Sequence, residues 1–563
     1  PTLNRFFSFH YIMPFIIAAL VIGDTAPALG QLALEEIVVT TRKRSENLQE
    51  IPLVVKAFTA ETLERKGLDS IEDVARLTAG VIVDQGTFPQ DVRVVIRGLS
   101  PTRGRPNVAI LLDGVDVSSE SVQSAGGSLL INPRLFDMER VEIVKGPQSA
   151  LYGRSAFSGA INYVTKKPTN EWENKVSVEV GENGQLEGRA GIYGPLAEDK
   201  AYIGINVAGW NFDGFYDNTV TGADLGDSDG FGGALSGIFN LSEDLTFTTR
   251  LEYTDDHIGQ APVAFAGTNG TQAVPPTAFG PIFRPGVISP AVPFVTSWVG
   301  RAPDASDLPG VTISEDPVTG REFRGSEREI LRIAGTFDWT RDWGTFTSVT
   351  HYASADVSQR IENTRKGSFF RLTSGTMFST ITDTDLFSQE LRFQSRDDEA
   401  FRWMFGGLYW EESVNQLSNN IACTNNQIFP FFPFLPCGPF FAQVGETSPN
   451  RWVRDTEHMS AFGMIELDLT DQVTFHVEGR YTDEDLFVSG PSGPRIVDAF
   501  GLAGPPNPFP PPTPNLDATK GDSYFTPRFS LEYTHNDDML FYGSLSKGAK
   551  PAGVSTVGAG SGG

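Results

Sequence analysis

From Lys167 onward the chain alternates apolar and polar residues in segments of roughly 10 to 14 residues, and these come in pairs. No other feature restricts the fold as much. LTFTTRLEY sets Leu245, Phe247, Leu251 and Tyr253 on one face and Thr246, Thr248, Arg250 and Glu252 on the other. SQELRFQ opposes Leu391 and Phe393 to Glu390 and Arg392. FRWMFGGLYW places Phe401, Trp403, Phe405 and Tyr409 together, and VTFHVEGRY sets Val473, Phe475, Val477 and Tyr481 against His476, Glu478 and Arg480. An aromatic, apolar face backed by a charged one is the pattern of strands with lipid on one side and a polar lumen on the other.

The connections sort into two classes. Tight acidic ones, such as LAEDK, SED, TRD, RDDE and HNDD, alternate with long ones, roughly 214–229, 259–328, 361–383, 414–455 and 487–521. Short turns at one end and long loops at the other are expected of a transmembrane antiparallel β-barrel, whereas a soluble sandwich has no reason to sort its loops by end. About thirteen candidate strands are present, yet a single-chain bacterial barrel has an even number and no open edge. The chain stops at VGAGSGG without a closing strand, so it reads as C-terminally truncated.

Arg5 and His10, the apolar run from Tyr11 to Gly23, and the small residues Ala26, Ala28 and Gly30 read as a secretory signal. The run is short of the ~20 residues of a membrane-spanning helix. Asp and Glu outnumber Lys and Arg by 70 to 44, a formal charge of −26. That excess argues against nucleic-acid binding, which needs clustered cations. Directly after the signal stands EEIVVTTRKR, whose β-branched core is strand-prone and has no obvious partner nearby. Residues 47–167 then mix α and β. Thr59 to Lys66 is expected to be a helix closed by Gly67, and Asp69-Ser70-Ile71-Glu72 a capping box opening a second one that buries Ile71, Val74 and Ala75 and stops at Gly80.

ERVEIVKGPQSALYGRSAFSGAINYVTKKP (139–168), LDGVDV, VVIRGLS, FSQELRFQS, WMFGGLYWEES and FYGSLSKGAKPAG together resemble TonB-dependent outer-membrane receptors. The resemblance covers nearly the whole chain after the signal. It implies a mostly β fold, an N-terminal α+β plug in the lumen of a barrel of about 22 strands when complete. The expected organisation is a signal at 1–30, a TonB-box segment at 31–46, a plug at 47–167 and a partial barrel at 168–563. Glu36, Ile37, Val38, Val39 and Thr40 would be the TonB box, captured by the periplasmic partner TonB through β-augmentation. Gly146, Gly153 and Gly159 match glycines of the plug motif; Arg97 and Gly98 in VVIRG, with Glu139, Arg140 and Glu142, match its other positions. Those charges either face the barrel interior or serve plug solubility. The resemblance also implies outer-membrane lipid as surroundings and no cofactor.

Cargo in that family sits between plug apices and long loops, which makes Phe88, Arg103 and Arg105 candidate contacts. Arg suits an anionic chelate through its forked donors, although an exposed Arg is often only a solvated charge. QIFPFFPFLPCGPFF (427–441) is too apolar for a solvated loop, and would either stack on an aromatic ligand or fold inward. Cys423 and Cys437 read as a loop disulfide rather than metal ligands. Catalysis finds little: GRSAFSG lacks the nucleophile-elbow spacing, and the terminal GAGSGG follows no strand-to-helix unit. The expected function is active import, most readily of a ferric siderophore. Alternatives are import of an oligosaccharide, cobalamin or plant aromatic, and a passive porin or adhesin, which would need neither plug nor tether.

Overall fold

Alternation at a period of two makes the strands, and pairing between successive ones makes the sheet. The computed structural model describes residues 37–68, 70–85, 92–100, 106–119, 137–262, 313, 315–316, 319, 321–362, 374–424, 450–490, 516–536 and 539–550. The first part holds β1 (Val38–Val39), β2 (Glu46–Asn47), β3 (Val54–Thr59), α1 (Ala60–Lys66), α2 (Ile71–Arg76), β4 (Val81–Gln85), β5 (Val92–Ile96), β6 (Val108–Leu112), β7 (Val115–Asp116), β8 (Met138–Lys145) and β9 (Gly159–Thr165). β3-β8-β9-β6-β7 form one sheet, with β6 and β9 parallel; β4 pairs with β5, and β1 with β2.

The second part is β10 (Glu173–Val180), β11 (Leu186–Ala197), β12 (Ala201–Phe212), β13 (Tyr216–Asp217), β14 (Asp224–Leu225), β15 (Ser228–Asn240), β16 (Leu245–Ile258), β17 (Gly325–Arg341), β18 (Gly344–Glu362), β19 (Ser374–Gln394), β20 (Phe401–Thr424), β21 (Asn450–Thr470), β22 (Val473–Gly490), β23 (Leu516–Asn536) and β24 (Met539–Ser546). All but the small β13–β14 hairpin join one 13-stranded antiparallel sheet in sequence order. Among the described residues no helix is long and apolar enough to cross a membrane.

Side chains divide as the alternation requires. On β22, His476, Glu478, Arg480, Thr482 and Glu484 are buried, while Tyr481, Asp483 and Asp485 point out. Leu251, Tyr253, Leu391, Phe401 and Phe405 are exposed on the outer face. There Phe247 stacks on Phe337 with centroids 4.4 Å apart, and Phe393 on Phe405 at 5.2 Å. The strands outrun the expectation, since β20 has 24 residues and β19 and β21 have 21 each. A bilayer needs only about 9–11 tilted residues, so the ladder carries on into what read as long loops. Ladder hydrogen bonds on both sides of these strands explain the extension, because pairing persists where polar residues replace the apolar face.

The inner face of this sheet meets the smaller ones. Asn206 on β12, Arg250 on β16, Trp410 on β20 and Arg480 on β22 all hydrogen-bond to residues between 116 and 151. Ile330 and Ala355 of the large sheet join a core built from Phe58, Leu63, Ile71, Val74, Ile96, Ile110, Val141, Ile143 and Ile161. Each fully buried Phe, Leu, Ile or Val among them contributes roughly 1.5–3 kcal/mol.

The helices form much as the sequence suggests. Thr59 caps α1, accepting from Thr62 N, and Gly67 closes it at φ 58°. The cap of α2 differs: Ser70 accepts from Asp73 N at 3.3 Å and donates to its carboxylate at 2.7 Å, so the reciprocal pair lies one residue beyond the box expected from Asp69. Asp69 itself lies outside the described residues. Ser70 holds the extended backbone of a cap at φ −133°, and α2 ends at Arg76, with Leu77 as its C-cap, rather than running on to Gly80.

Gly159 sits where β9 meets β8 and β6, at φ +157°; a Cβ there would overlap the Val144 carbonyl and lie 2.7 Å from Ile96 Cδ1. Gly159→Ala is therefore expected to destabilise by about 1–3 kcal/mol through overpacking. Gly407→Ala, whose nearest neighbour is 3.8 Å away, is expected to stay within about 0.5 kcal/mol. Calorimetry of the two variants in detergent checks this, as a lowered first thermal transition for Gly159→Ala alone.

Candidate functional site

Val38 and Val39 are not left unpaired. They fold back on Asn47 and Glu46, and Lys43 at φ 62° completes the turn with its N–H donating to the Thr40 carbonyl at 3.0 Å. No Asn-Gly or Gly-Gly pair announces this turn, because contacts from elsewhere hold it. Glu142 on β8 is fully buried and accepts from Thr40 N at 2.9 Å, Arg140 Nε at 2.8 Å and Asn162 Nδ2 at 3.1 Å. The Tyr152 hydroxyl donates to the Thr41 carbonyl. Burial, followed by the nearby Glu142 carboxylate, raises that phenol well above its usual range and keeps it a donor.

The three cations that follow run into the inner wall of the large sheet. Arg42 pairs with Glu466 and, at 3.1 Å, with Glu46. Lys43 reaches both carboxylate oxygens of Glu390, at 2.6 and 2.9 Å, and lies 5.2 Å from the centre of the Phe462 ring. Arg44 meets Glu466 at 2.8 Å and donates to the Trp403 carbonyl at 3.2 Å. Burial outweighs the attraction of Glu390 and brings the Lys43 ammonium down to about 8; burial likewise lowers Arg44. These pairs add little net stability, since desolvation offsets their attraction. Removing one partner is another matter, costing about 3–5 kcal/mol when it leaves a buried charge alone. The geometry makes a strap whose position is specified by charge.

Further along, the wall holds residues 148–154. Arg480 donates to the carbonyls of Ala150 and Leu151 and to Ser460 Oγ at 2.6 Å. Arg528 reaches Gln148 Oε1 at 3.2 Å and the Pro52 carbonyl at 3.0 Å, and the Arg154 guanidinium lies 3.5 Å over the Trp410 ring. Gly153, at φ +80°, leaves the space Arg480 occupies, with its guanidinium carbon 3.2 Å from where a Cβ would stand. Asp137 takes Arg250 at 2.7 Å and Asn206 at 2.5 Å; burial raises its carboxyl and Arg250 opposes the rise.

The sequence-predicted positions fall as follows. Val38, Val39 and Thr40 are in the strap, beside Ile37; Glu36 lies outside the described residues. Arg97, at φ 54°, and Gly98 form the exposed turn after β5, with the Arg97 guanidinium 3.3 Å from where a Gly146 Cβ would be. Glu139 is partly exposed and pairs with Arg140. Phe88, Arg103, Arg105 and Cys437 lie outside the described residues, as does the apolar stretch 427–441; Cys423 is in β20, opposite Gly375. Sequence reasoning passed over Arg42, Lys43, Arg44, Glu390, Glu466 and Arg480 as partners. The available signal was that charged residues recur on the lumen face of β19, β21 and β22, just where a cationic RKR run has to be matched.

A strap, a small α+β unit and a barrel wall that grips both define a plugged outer-membrane receptor. A family model described as the TonB-dependent receptor plug domain matches residues 47–160, and one described as the TonB-dependent receptor-like β-barrel matches 291–563. The chain belongs to the TonB-dependent receptors of the outer membrane, a family of transport receptors. It is 31% identical over 148 residues to the iron-regulated outer membrane virulence protein of Vibrio cholerae, covering 26% of this chain and 22% of that one. To the pesticin receptor of Yersinia pestis it is 25% identical over 528 residues, 92% of this chain and 64% of the relative. The crystal structure of the ferric yersiniabactin uptake receptor FyuA from Yersinia pestis superimposes with a TM-score of 0.64 at 17% identity, covering 89% of this chain and 65% of that one. The chain thus spans less than two thirds of the length of these relatives.

Glu466→Gln leaves Arg42 and Arg44 buried without their shared carboxylate. Limited trypsin digestion of the full receptor in detergent is expected to cut at residues 42–44 at least roughly tenfold faster than in wild type. Cleavage after the exposed Arg65, which makes a surface pair with Glu61, is expected to be unchanged.

Proposed function

We propose that this receptor actively imports a scarce nutrient across the outer membrane, driven by TonB from the periplasm. The supporting observation is the strap: a β-prone segment parked in a two-residue ladder and fixed by buried charge, next to a plug that the wall grips. A passive pore or an adhesin has no use for such an arrangement. Glu36 to Thr40 would be the segment that TonB takes as an added strand, through main-chain hydrogen bonds. Traction on it would draw Arg42, Lys43 and Arg44 away from Glu466 and Glu390 before any force reaches β3. Residues 1–30 would be a signal, 31–46 the TonB-box segment, 47–167 the plug and 168–563 barrel.

A ferric siderophore is the cargo we favour. Relatives include a ferrioxamine B receptor of Salmonella typhimurium and a ferripyoverdine receptor of Pseudomonas aeruginosa, while a vitamin B12 transporter of Vibrio vulnificus keeps a non-iron ligand as the second reading. Phe88, Arg103 and Arg105 are proposed ligand contacts, and Cys423 with Cys437 a disulfide in an outer loop. No catalysis and no cofactor belong to this reading.

The test is uptake of labelled ferric siderophore by iron-limited cells carrying the full-length receptor, wild type against Val38→Pro. Proline removes a backbone donor and prevents strand capture. Uptake is expected to disappear while binding of the labelled ligand to cells persists. Unchanged uptake in the variant would favour a passive channel, and absent uptake in wild type would move the cargo away from iron.

A further inference from the structure

At the other end of the barrel, where the long connections lie, Asp227, Asp229 and His257 bring one donor atom each to within 4.8 Å of one another. His257 Nε2 lies 2.6 Å from the Arg324 carbonyl, an acceptor, so this nitrogen carries the proton. Nδ1 faces Asp229 Oδ1 at 3.0 Å and Asp227 Oδ2 at 3.9 Å, so either a second ring proton donated to Asp229 or a bound cation has to stand between them. Three potential ligand atoms thus converge on one point. Other carboxylates nearby have a guanidinium to face: Asp256 has Arg328 at 3.0 Å and Asp316 has Arg360 at 2.9 Å. For Asp227 and Asp229, the ion pairs among the described residues run to His257 alone.

We propose that Asp227, Asp229 and His257 hold a divalent transition-metal ion of the zinc type, which clips the start of β15 to the end of β16 and to the residue before β17. Four donors around such an ion at about 2.0–2.1 Å stand roughly 3.3–3.4 Å apart, and the observed 3.0 and 3.9 Å straddle that spacing. An imidazole with two carboxylates selects a transition metal over calcium, which prefers oxygen donors throughout. A ligating histidine typically donates its second ring N–H to a carbonyl or carboxylate, the role Arg324 plays here. The backbone makes room for the arrangement at Gly259, where a Cβ would overlap Asp227 Oδ1 and whose N–H donates to the Asp227 carbonyl at 2.8 Å. Asp229 is more than half exposed and gives the ion a way in from solvent. The site bridges the bases of the connections 213–227 and 259–324, and its existence does not depend on what the receptor imports.

The test is a cobalt(II) titration of the full receptor, purified in detergent through a tag without histidines and followed by visible ligand-field absorption, with zinc as competitor. One saturable equivalent that zinc displaces is expected. Asp229→Asn and His257→Gln are each expected to weaken it roughly tenfold or more, with strand content by circular dichroism unchanged. Asp229→Asn, at an exposed position, keeps the test valid if His257→Gln fails to fold. No saturable band, or a band that the folded variants leave unaltered, overturns the proposal and makes His257 an imidazolium held between two carboxylates.

Discussion

In a bilayer core no water is available to satisfy main-chain N–H and C=O groups, so every crossing segment has to pair with its neighbour. This constraint produces the sequential antiparallel sheet and also fixes where charge can go. Each strand must offer lipid an apolar face, so within the bilayer its ionisable residues are turned towards the lumen. The wall therefore arrives lined with Glu390, Glu466, Glu478, Arg480 and Arg528, and whatever fills the lumen has to answer those charges. The plug does so with complementary side chains at the strap and with bare carbonyls at residues 150–151.

Apolar packing and charge divide the work. The plug's own core, from Phe58 to Tyr163, gives it its shape, and among the described wall residues Ile330 and Ala355 take part. Leu151 adds a second apolar contact, with Met404, Phe462 and Met464 of the wall, and polar contacts at the strap and at residues 148–154 complete the interface. A polar interface depends on geometry and can be exchanged for water with less loss than an apolar one.

Much of this was legible beforehand. A period of two with aromatic residues on one side gave the strands and their lipid face, and the Thr59 and Gly67 positions bounded α1 correctly. Strand ends were less legible, because β19 to β21 continue past the apolar band on hydrogen bonds that no side-chain pattern marks. The strap hairpin was hidden for a related reason: its turn, TTRKRS, has no intrinsic turn chemistry and takes its shape from Glu142, Tyr152 and the wall, all more than a hundred residues away in sequence. The cluster at Asp227, Asp229 and His257 was equally remote, since only the pairing of β15 with β16 sets Asp229 opposite His257.

Glu466 and Glu390 are not the strap's property alone. Glu466 also faces Arg402 at 3.3 Å and His476 at 2.9 Å, and Glu390 faces Arg392 at 3.0 Å. When Arg42, Lys43 and Arg44 are drawn out, both carboxylates still have cationic company from their own strands or the next. The departing cations pass into water, where they are well solvated. Undocking thus leaves no naked charge on either side, and the vacated wall remains a fitted socket. A strap withdrawn from such a socket would meet the same two carboxylates, still in place, on its return.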